Sequence, residues 1–295
     1  MKIKKLNLNQ KIEIEQTEYL EILFKDFGAI LAGGTAYEFF KGTKIKKHLN
    51  SHPTTDIDLY FKSKEDYEEA VEFLRTVVKR DNNPRYYRPG SYLSPITLEK
   101  SATGLCHNFN YNDIKYQLVG CLFGEPREII TSFDFKNLEV CYYYDTNIES
   151  YLCMNSDHAK NTVELEIRHT NSPFLMHRIY KYMNYRGFKA VSMQSKKHIT
   201  DWLIKAASGY YYENTDGCPS IYVNLVDNYF LRSVLPNRDL ISDDDLVYLI
   251  GKIKEKEYEI QKIISASGYS RSSFVYTGTR DLAIEEMKNR RKYAS

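Results

Sequence analysis

LAGGTAYEFFKGTKIKKHLNSHPTTDIDLYF, residues Leu31 to Phe61, is the stretch on which the fold turns. Ala29-Ile30-Leu31-Ala32 is a short apolar run between Gly28 and Gly33-Gly34, the pattern of a buried strand. Thr35 is placed to cap a helix through Ala36-Tyr37-Glu38-Phe39-Phe40 that stops near Gly42. Asp56-Ile57-Asp58-Leu59-Tyr60-Phe61 then alternates as a strand should. Residues i and i+2 of a strand project from one face. Asp56 and Asp58 therefore point together, while Ile57 and Leu59 point into the core.

Two carboxylates on one face repel each other and are costly unless a cation sits between them. Hard oxygen ligands suit Mg²⁺, with Mn²⁺ as the alternative ion, and such metals commonly hold substrate phosphates as well. Gly33 and Gly34 let the backbone come close to a phosphate, and the helix that starts there offers free N–H groups and a positive dipole end. The combination predicts a metal-triphosphate site, with Gly33, Gly34 and Thr35 toward the nucleotide and Asp56 and Asp58 toward the metal. A capped turn beside a strand edge with two solvated charges is the plainer alternative.

Outward from this stretch, Leu20, Leu23, Phe24 and Phe27 recur at helical spacing between Gln16 and Phe27. Ser63 opens a helix whose stripe is Tyr67, Val71, Leu74 and Val78. Strands are expected at Ile114 to Val119 and Leu138 to Tyr144, with a helix at Pro126 to Ser132 between them. Further on the periodicity reads as helices at 157–168, 173–186, 195–213, 219–233 and 243–266, the last capped by Ser242. The expected architecture is α/β: a small mixed-sheet domain over residues 1–150, followed by a mainly helical domain over 151–295.

Composition sets bounds on function. The 295 residues carry 41 Lys+Arg against 39 Asp+Glu, so any basic surface must be local. Hydrophobic residues at 42% and charged residues at 27% are ordinary for a globular protein. No run approaches the roughly 18 apolar residues of a membrane span, and the start MKIKKLNLNQKIEIE lacks the apolar core of a signal peptide. A cytoplasmic protein is expected. Cys106, Cys121, Cys141, Cys153 and Cys218 form no Cys-x-x-Cys pair, which argues against a disulfide framework or a zinc ribbon. The 26 tyrosines, with many Lys, Asn and Ile, fit an AT-rich genome, and with the compact motifs they point to a phage or other viral origin.

The Gly-Gly-Thr and the Asp-Ile-Asp flanked by apolar residues resemble the active-site signature of the DNA polymerase β-like nucleotidyltransferase superfamily. Two looser matches are similar to its tRNA nucleotidyltransferase (CCA-adding) and poly(A) polymerase branch. TSFDFKNLEVCYYYD, Thr131 to Asp145, resembles that branch's Arg-Arg-Asp-Phe-Thr motif, with Asp134 and Phe135 in matching positions. FLMHRIYKYMNYRGF, Phe174 to Phe188, resembles its helix of spaced arginines, matched by Arg178 and Lys181. Ser132 and Phe133 stand where the branch has two arginines. Gln117 stands where many members place a third carboxylate; Asp113, Glu139 and Asp134 are the other acidic residues in reach, and Asp134 is favoured by its motif.

The resemblance implies a polymerase β-like palm and nucleotidyl transfer from an NTP, ATP or CTP, to an acceptor hydroxyl, with an RNA 3′ end as the first choice. Asp56 and Asp58 would hold two Mg²⁺ ions roughly 3.5–4 Å apart, with Asp134 as a third catalytic carboxylate. Gly33, Gly34, Thr35, Arg178 and Lys181 would bind the nucleotide. Arg178 and Lys181 lie three apart on a helix, with Tyr182 and Tyr185 on the same surface, a face able to stack a base and hold phosphates. Lys44, Lys46, Lys47 and His48, Arg85 to Arg88, and Lys288 to Lys292 are further basic clusters, which are solvated surface unless they share one side. The alternatives are a toxin-like enzyme with a protein or small-molecule acceptor, and a catalytically idle nucleic-acid-binding subunit. Oligomeric state is not encoded in any pattern here.

Overall fold

A computed structural model describes residues 1–51, 56–81, 96–101 and 104–168, and beyond these residues 178–179, 181–183, 186–197, 199, 210–214, 221–223, 242, 244, 247–248 and 274–275. The chain divides into two compact units: Met1–Phe133 with Asn137–Lys160 and Tyr293–Ser295, and Asp134–Lys136 with Asn161–Lys292.

The first unit is built on a mixed eight-stranded sheet. Its strands are β1 (Lys2–Lys5), β2 (Ile30–Ala32), β3 (Ile57–Phe61), β4 (Thr97–Lys100), β5 (Cys106–Tyr111), β6 (Ile114–Phe123), β7 (Val140–Asp145) and β8 (Ser150–Asn155). They lie in the order β1-β8-β7-β2-β3-β6-β5-β4. The β3–β6 pair is parallel, and every other neighbouring pair is antiparallel. The helices are α1 (Leu8–Glu15), α2 (Leu20–Phe27), α3 (Gly33–Phe40), α4 (Ile45–Ser51), α5 (Lys64–Asp81) and α6 (Pro126–Thr131).

Strand β3 shows the alternation expected of it. Ile57, Leu59 and Phe61 are fully buried, whereas Asp58 and Tyr60 are half-exposed. The buried face meets α5, where Phe61 and Tyr67 pack edge to face at 5.7 Å between ring centres. Helix α5 begins as the sequence indicates, with Ser63 Oγ accepting from the Asp66 N–H and Asp66 Oδ2 accepting from the Ser63 N–H. Gly120 on β6 leaves room for the Tyr67 ring, since a Cβ there would lie 2.5 Å from the ring's Cζ.

Three local expectations are corrected. The segment Gln16 to Phe27 is not one helix: Tyr19 takes a left-handed conformation (φ 64°), and α2 starts only at Leu20. Lys44 to His48 is not an open loop. His48 is buried inside α4, while Lys44, Lys46 and Lys47 are exposed. Thr35 does not cap α3, which is flanked by Ala32 with no side-chain cap.

In the second unit, β9 (Glu164–Leu165) pairs in parallel with β10 (Ala190–Val191) inside a region read as helical at 157–168. β11 (Tyr210–Asn214) pairs with β12 (Ile221–Val223) and β13 (Phe274–Val275). These strands interrupt the helices expected at 195–213 and 219–233; aromatic and β-branched residues there satisfy a strand as readily as a helix face. Helical residues are present at 178–179, 181–183, 193–197, 199, 244 and 247–248, and the rest of the expected rear helices lies outside the described residues. Among the described residues, no helix is long and apolar enough to cross a membrane.

Candidate active site

The candidate site is assembled where β2 runs into α3 beside β3. Ala32, the last residue of β2, is registered with Asp58 on β3. Gly33 follows with φ +79°, a conformation that only glycine adopts without strain. Its Cα hydrogen faces the Asp58 carboxylate: a Cβ at residue 33 would lie 2.7 Å from Asp58 Oδ2. The glycine is therefore required twice, by its backbone angle and by the carboxylate beside it.

Thr35 is buried, and its Oγ1 donates to the Asp56 carbonyl at 2.7 Å. This bond joins the first turn of α3 to the entry of β3. It holds the helix start and the Asp56–Asp58 face in one frame, a role that capping statistics do not reveal. Asp56 itself is half-buried, and Lys115 Nζ lies 3.6 Å from its Oδ2. The cation of Lys115, 43% exposed, offsets part of the repulsion between the two carboxylates.

On the other side of Asp58 stands Gln117, its registered partner on β6. Gln117 Nε2 donates to Asn108 Oδ1 at 3.3 Å, and Asn108 is in turn registered with Gln117 from β5. Asn108 was not singled out from the sequence; only the β5–β6 register places it here. Cys106, also on β5, has its thiol pushed far up by a hydrogen bond with the Cys121 thiol, by burial and by the charges of Asp58 and Asp56. It stays a neutral thiol. Cys106, Cys121, Cys141 and Cys153 are thiols, not joined in disulfides.

The other expected site residues fall in the second unit or elsewhere in the first. Asp134 is 2% exposed, and its carboxylate accepts a hydrogen bond from Arg178 Nη1, a partly exposed guanidinium. The structure thus brings Asp134 and Arg178 together as an ion pair, which sequence reading had kept apart as catalytic and binding residues. Lys181 is helical and half-exposed. Tyr182 does not offer a base-stacking face: it is buried between Phe135, 5.0 Å away, and Phe188, 6.3 Å away. Tyr185, Arg85 to Arg88 and Lys288 to Lys292 lie outside the described residues. In the first unit, Ser132 is buried and donates to the Ile129 carbonyl, and Phe133 packs on Tyr60. Glu139 is buried and Asp113 sits in an exposed turn with φ 63°.

Among the described residues, no group of three or more His, Cys, Asp and Glu side chains is arranged to hold a metal. The acidic donor set is Asp58 on β3 and Asp56 immediately before its first residue, Ile57, with the Asp58 carboxylate seated against Gly33. That set fits a divalent cation that brings further oxygen ligands of its own.

The fold and this site define a mixed α/β protein with a glycine-bounded carboxylate pair at a strand–helix junction. The chain belongs to the Gabija anti-defense 2 family, whose sequence model matches residues 2–181. Solved structures similar to it include a CCA-adding enzyme in complex with ATP, at 11% identity and a TM-score of 0.48, covering 70% of this chain and 46% of that one. The Thermotoga maritima CCA-adding enzyme complexed with tRNA matches at 12% identity and a TM-score of 0.46, covering 70% and 47%. An apo form of a tRNA-processing enzyme matches at 12% identity and a TM-score of 0.44, covering 92% and 76%. The chain spans less than half the length of the first two. No curated protein matches its sequence.

Proposed function

We propose that this chain is a divalent-metal-dependent nucleotidyltransferase that moves a nucleoside monophosphate from an NTP, ATP or CTP, to an acceptor hydroxyl. The observation that carries the reading is the approach of Gly33 to Asp58, two residues after Asp56 at the entry of β3. A solvated strand edge has no need of a glycine there; a site that must admit a triphosphate beside two carboxylates does. Asp56 and Asp58 would hold Mg²⁺ or Mn²⁺, which when bound would draw charge from the phosphates.

The chain's own residues supply positioning and electrostatics. Backbone N–H groups of Gly33, Gly34 and Thr35 in the first turn of α3 would meet phosphate oxygens at the positive end of the helix. Thr35, through the Asp56 carbonyl, keeps that turn aligned with the carboxylates. Lys115 lowers the cost of holding two carboxylates together before substrate arrives. In the second unit, Arg178 and Lys181 would offer cations to nucleotide or RNA. Asp134 then acts as the partner that orients Arg178, a positioning role in place of the catalytic one.

An RNA 3′ end is the acceptor we place first. Membership of an anti-defense family favours a second reading, in which the acceptor is a protein or small molecule of a defence system, met in the host cytoplasm during phage infection. The deciding experiment incubates the protein and Mg²⁺ with each labelled NTP and, separately, total bacterial RNA, a protein extract and a small-molecule pool. The Asp56→Asn/Asp58→Asn double variant is the control. Label entering RNA with wild type alone supports the first reading, and label in protein or small molecules the second. Label in none, with the NTP still bound, overturns transfer and leaves an idle binding subunit.

A further inference from the structure

Cys106 opens β5 and is registered with Val119, which makes Cys121 its diagonal neighbour on β6. Strand β6 bulges here: it advances five residues, Leu118 to Phe123, while β3 advances two, Leu59 to Phe61. A bulge sharpens the local twist, and twist is what lets diagonal side chains converge. The backbone is tied at the same point. The Gly120 N–H donates to the Leu105 carbonyl at 2.8 Å, linking the residues that immediately precede the two cysteines. The Ser101 N–H donates to the Cys106 carbonyl at 2.8 Å, and the Cys106 N–H donates to Ser101 Oγ at 3.1 Å. The Tyr67 ring fills the space that a Cβ at Gly120 would need, and its hydroxyl is hydrogen-bonded to Nδ1 of His107. In this frame the Cys106 and Cys121 thiols are hydrogen-bonded to each other, and both residues are half-exposed.

We propose that Cys106 and Cys121 form a reversible disulfide, closed by a low-molecular-weight disulfide such as oxidised glutathione, that staples β5 to the bulge of β6. One cysteine sulfur attacks the S–S bond of the reagent and releases one reagent thiol; the other cysteine sulfur then displaces the second. The bond formed joins Cys106 Sγ to Cys121 Sγ. The reagent disulfide is reduced to two thiols, which carry away the two cysteine protons. Packing alone does not call for this pair: Cys141 and Cys153 are buried as small hydrophobes, whereas Cys106 and Cys121 are half-exposed. The neighbouring thiol and burial hold Cys106 protonated, so exchange is slow and follows the redox balance of the solution rather than a brief oxidant pulse. Cys106 stands two residues before Asn108 and within electrostatic reach of Asp58 and Asp56, so the staple fixes the sheet beside the candidate site. The inference holds whether or not the chain transfers nucleotides.

The test equilibrates the folded protein in glutathione buffers running from fully reduced to fully oxidised, quenches with an alkylating agent and maps the peptides by mass spectrometry. The peptide of Cys106 should appear joined to that of Cys121, lighter than the reduced pair by the two thiol hydrogens, and should separate again in reduced glutathione. Cys141 and Cys153 should be alkylated only after unfolding in urea. The oxidised protein should melt several degrees above the reduced one, a gain absent from Cys106→Ser and from Cys121→Ser. The mapping of the wild-type chain decides the matter even where a variant fails to fold. Both thiols still open to alkylation in fully oxidised buffer, or glutathione attached to either cysteine with no bond between them, overturns the proposal. So does a cross-link that forms only in urea, since the folded strands would then hold the sulfurs apart. A cross-linked protein that melts no higher than the reduced one overturns the stapling role.

Discussion

Gly33 and Asp58 are 25 residues apart in sequence, yet a single added methyl group on the glycine would sit 2.7 Å from the aspartate's Oδ2. Gly33→Ala therefore does two things: it forces a β-carbon into a left-handed backbone (φ +79°) and pushes the Asp58 carboxylate aside. The backbone strain costs on the order of 1 kcal/mol, which lowers the thermal midpoint by several degrees. The displaced carboxylate should reduce metal-nucleotide affinity by much more than that fraction of stability. Thermal unfolding and Mn²⁺–NTP binding, measured on the same sample, separate the two effects; equal losses in both would show that the glycine serves the fold alone.

Asp56→Asn and Asp58→Asn should each take nucleotide transfer below detection while leaving the unfolding midpoint near that of wild type, because both side chains are half-exposed and the core face of β3 is untouched. Lys115→Met should act in the opposite sense on the cation. Removing the ammonium 3.6 Å from Asp56 Oδ2 should tighten divalent-ion binding by about two- to fivefold at low salt, and the gain should shrink as ionic strength rises. Isothermal titration at two salt concentrations checks both the sign and the screening.

Asp134 and Arg178 predict an asymmetric pair of variants. Arg178→Ala leaves a carboxylate that is 2% exposed without its guanidinium, whereas Asp134→Ala leaves a guanidinium that is already 37% exposed. Loss of the arginine should cost about 3 kcal/mol and loss of the aspartate clearly less. A double-mutant cycle in urea measures the coupling. Were Asp134→Ala the more damaging for transfer yet mild for stability, a direct catalytic role would regain its place.

His107 supplies the pH dependence. Burial lowers its imidazole pKa from the usual 6.5, and Tyr67 Oη shares a 2.6 Å hydrogen bond with its Nδ1. The Tyr67 hydroxyl, pushed up to about 12 by burial, stays protonated throughout. As pH falls, the unfolded chain takes up the histidine proton first, so the contribution of the neutral ring is whole above about pH 6.5 and declines below it. The thermal midpoint should fall as the pH drops below about 6.5, and His107→Asn should flatten that slope. A slope unchanged in the variant would assign the acid sensitivity to other groups.

Local pattern made a good part of the first unit legible. Periodicity located β2, β3, α5 and α6 to within a few residues: β2, α5 and α6 have a Gly, Ser or Pro at a boundary, and β3 has a clean two-residue alternation. It failed where two periods fit the same residues. The tyrosine-rich run at 210–214 reads as one face of a helix and is a strand, decided by its partners at 221–223 and 274–275. Tyr182, close in sequence to Arg178 and Lys181, reads as part of a recognition face; Phe135 and Phe188 cover it instead. No spacing rule announces which side of a helix finds a hydrophobic neighbour.

Strand geometry alone, with its two-residue repeat, leads to the expectation that Asp56 and Asp58 share a face; the structure begins β3 one residue later, at Ile57, with Asp56 at its entry. The neighbours of that face are another matter. Thr35 on the Asp56 carbonyl, Gly33 against the Asp58 carboxylate, Lys115 by Asp56 and Gln117 held by Asn108 all depend on which strands adjoin β3 and in what register. In a sheet a one-residue slip turns every side chain to the opposite face. The register of β3 with β6 and of β6 with β5 is held by burying Leu59, Leu118, Tyr116 and Phe109 together, a long-range condition that only the folded chain satisfies.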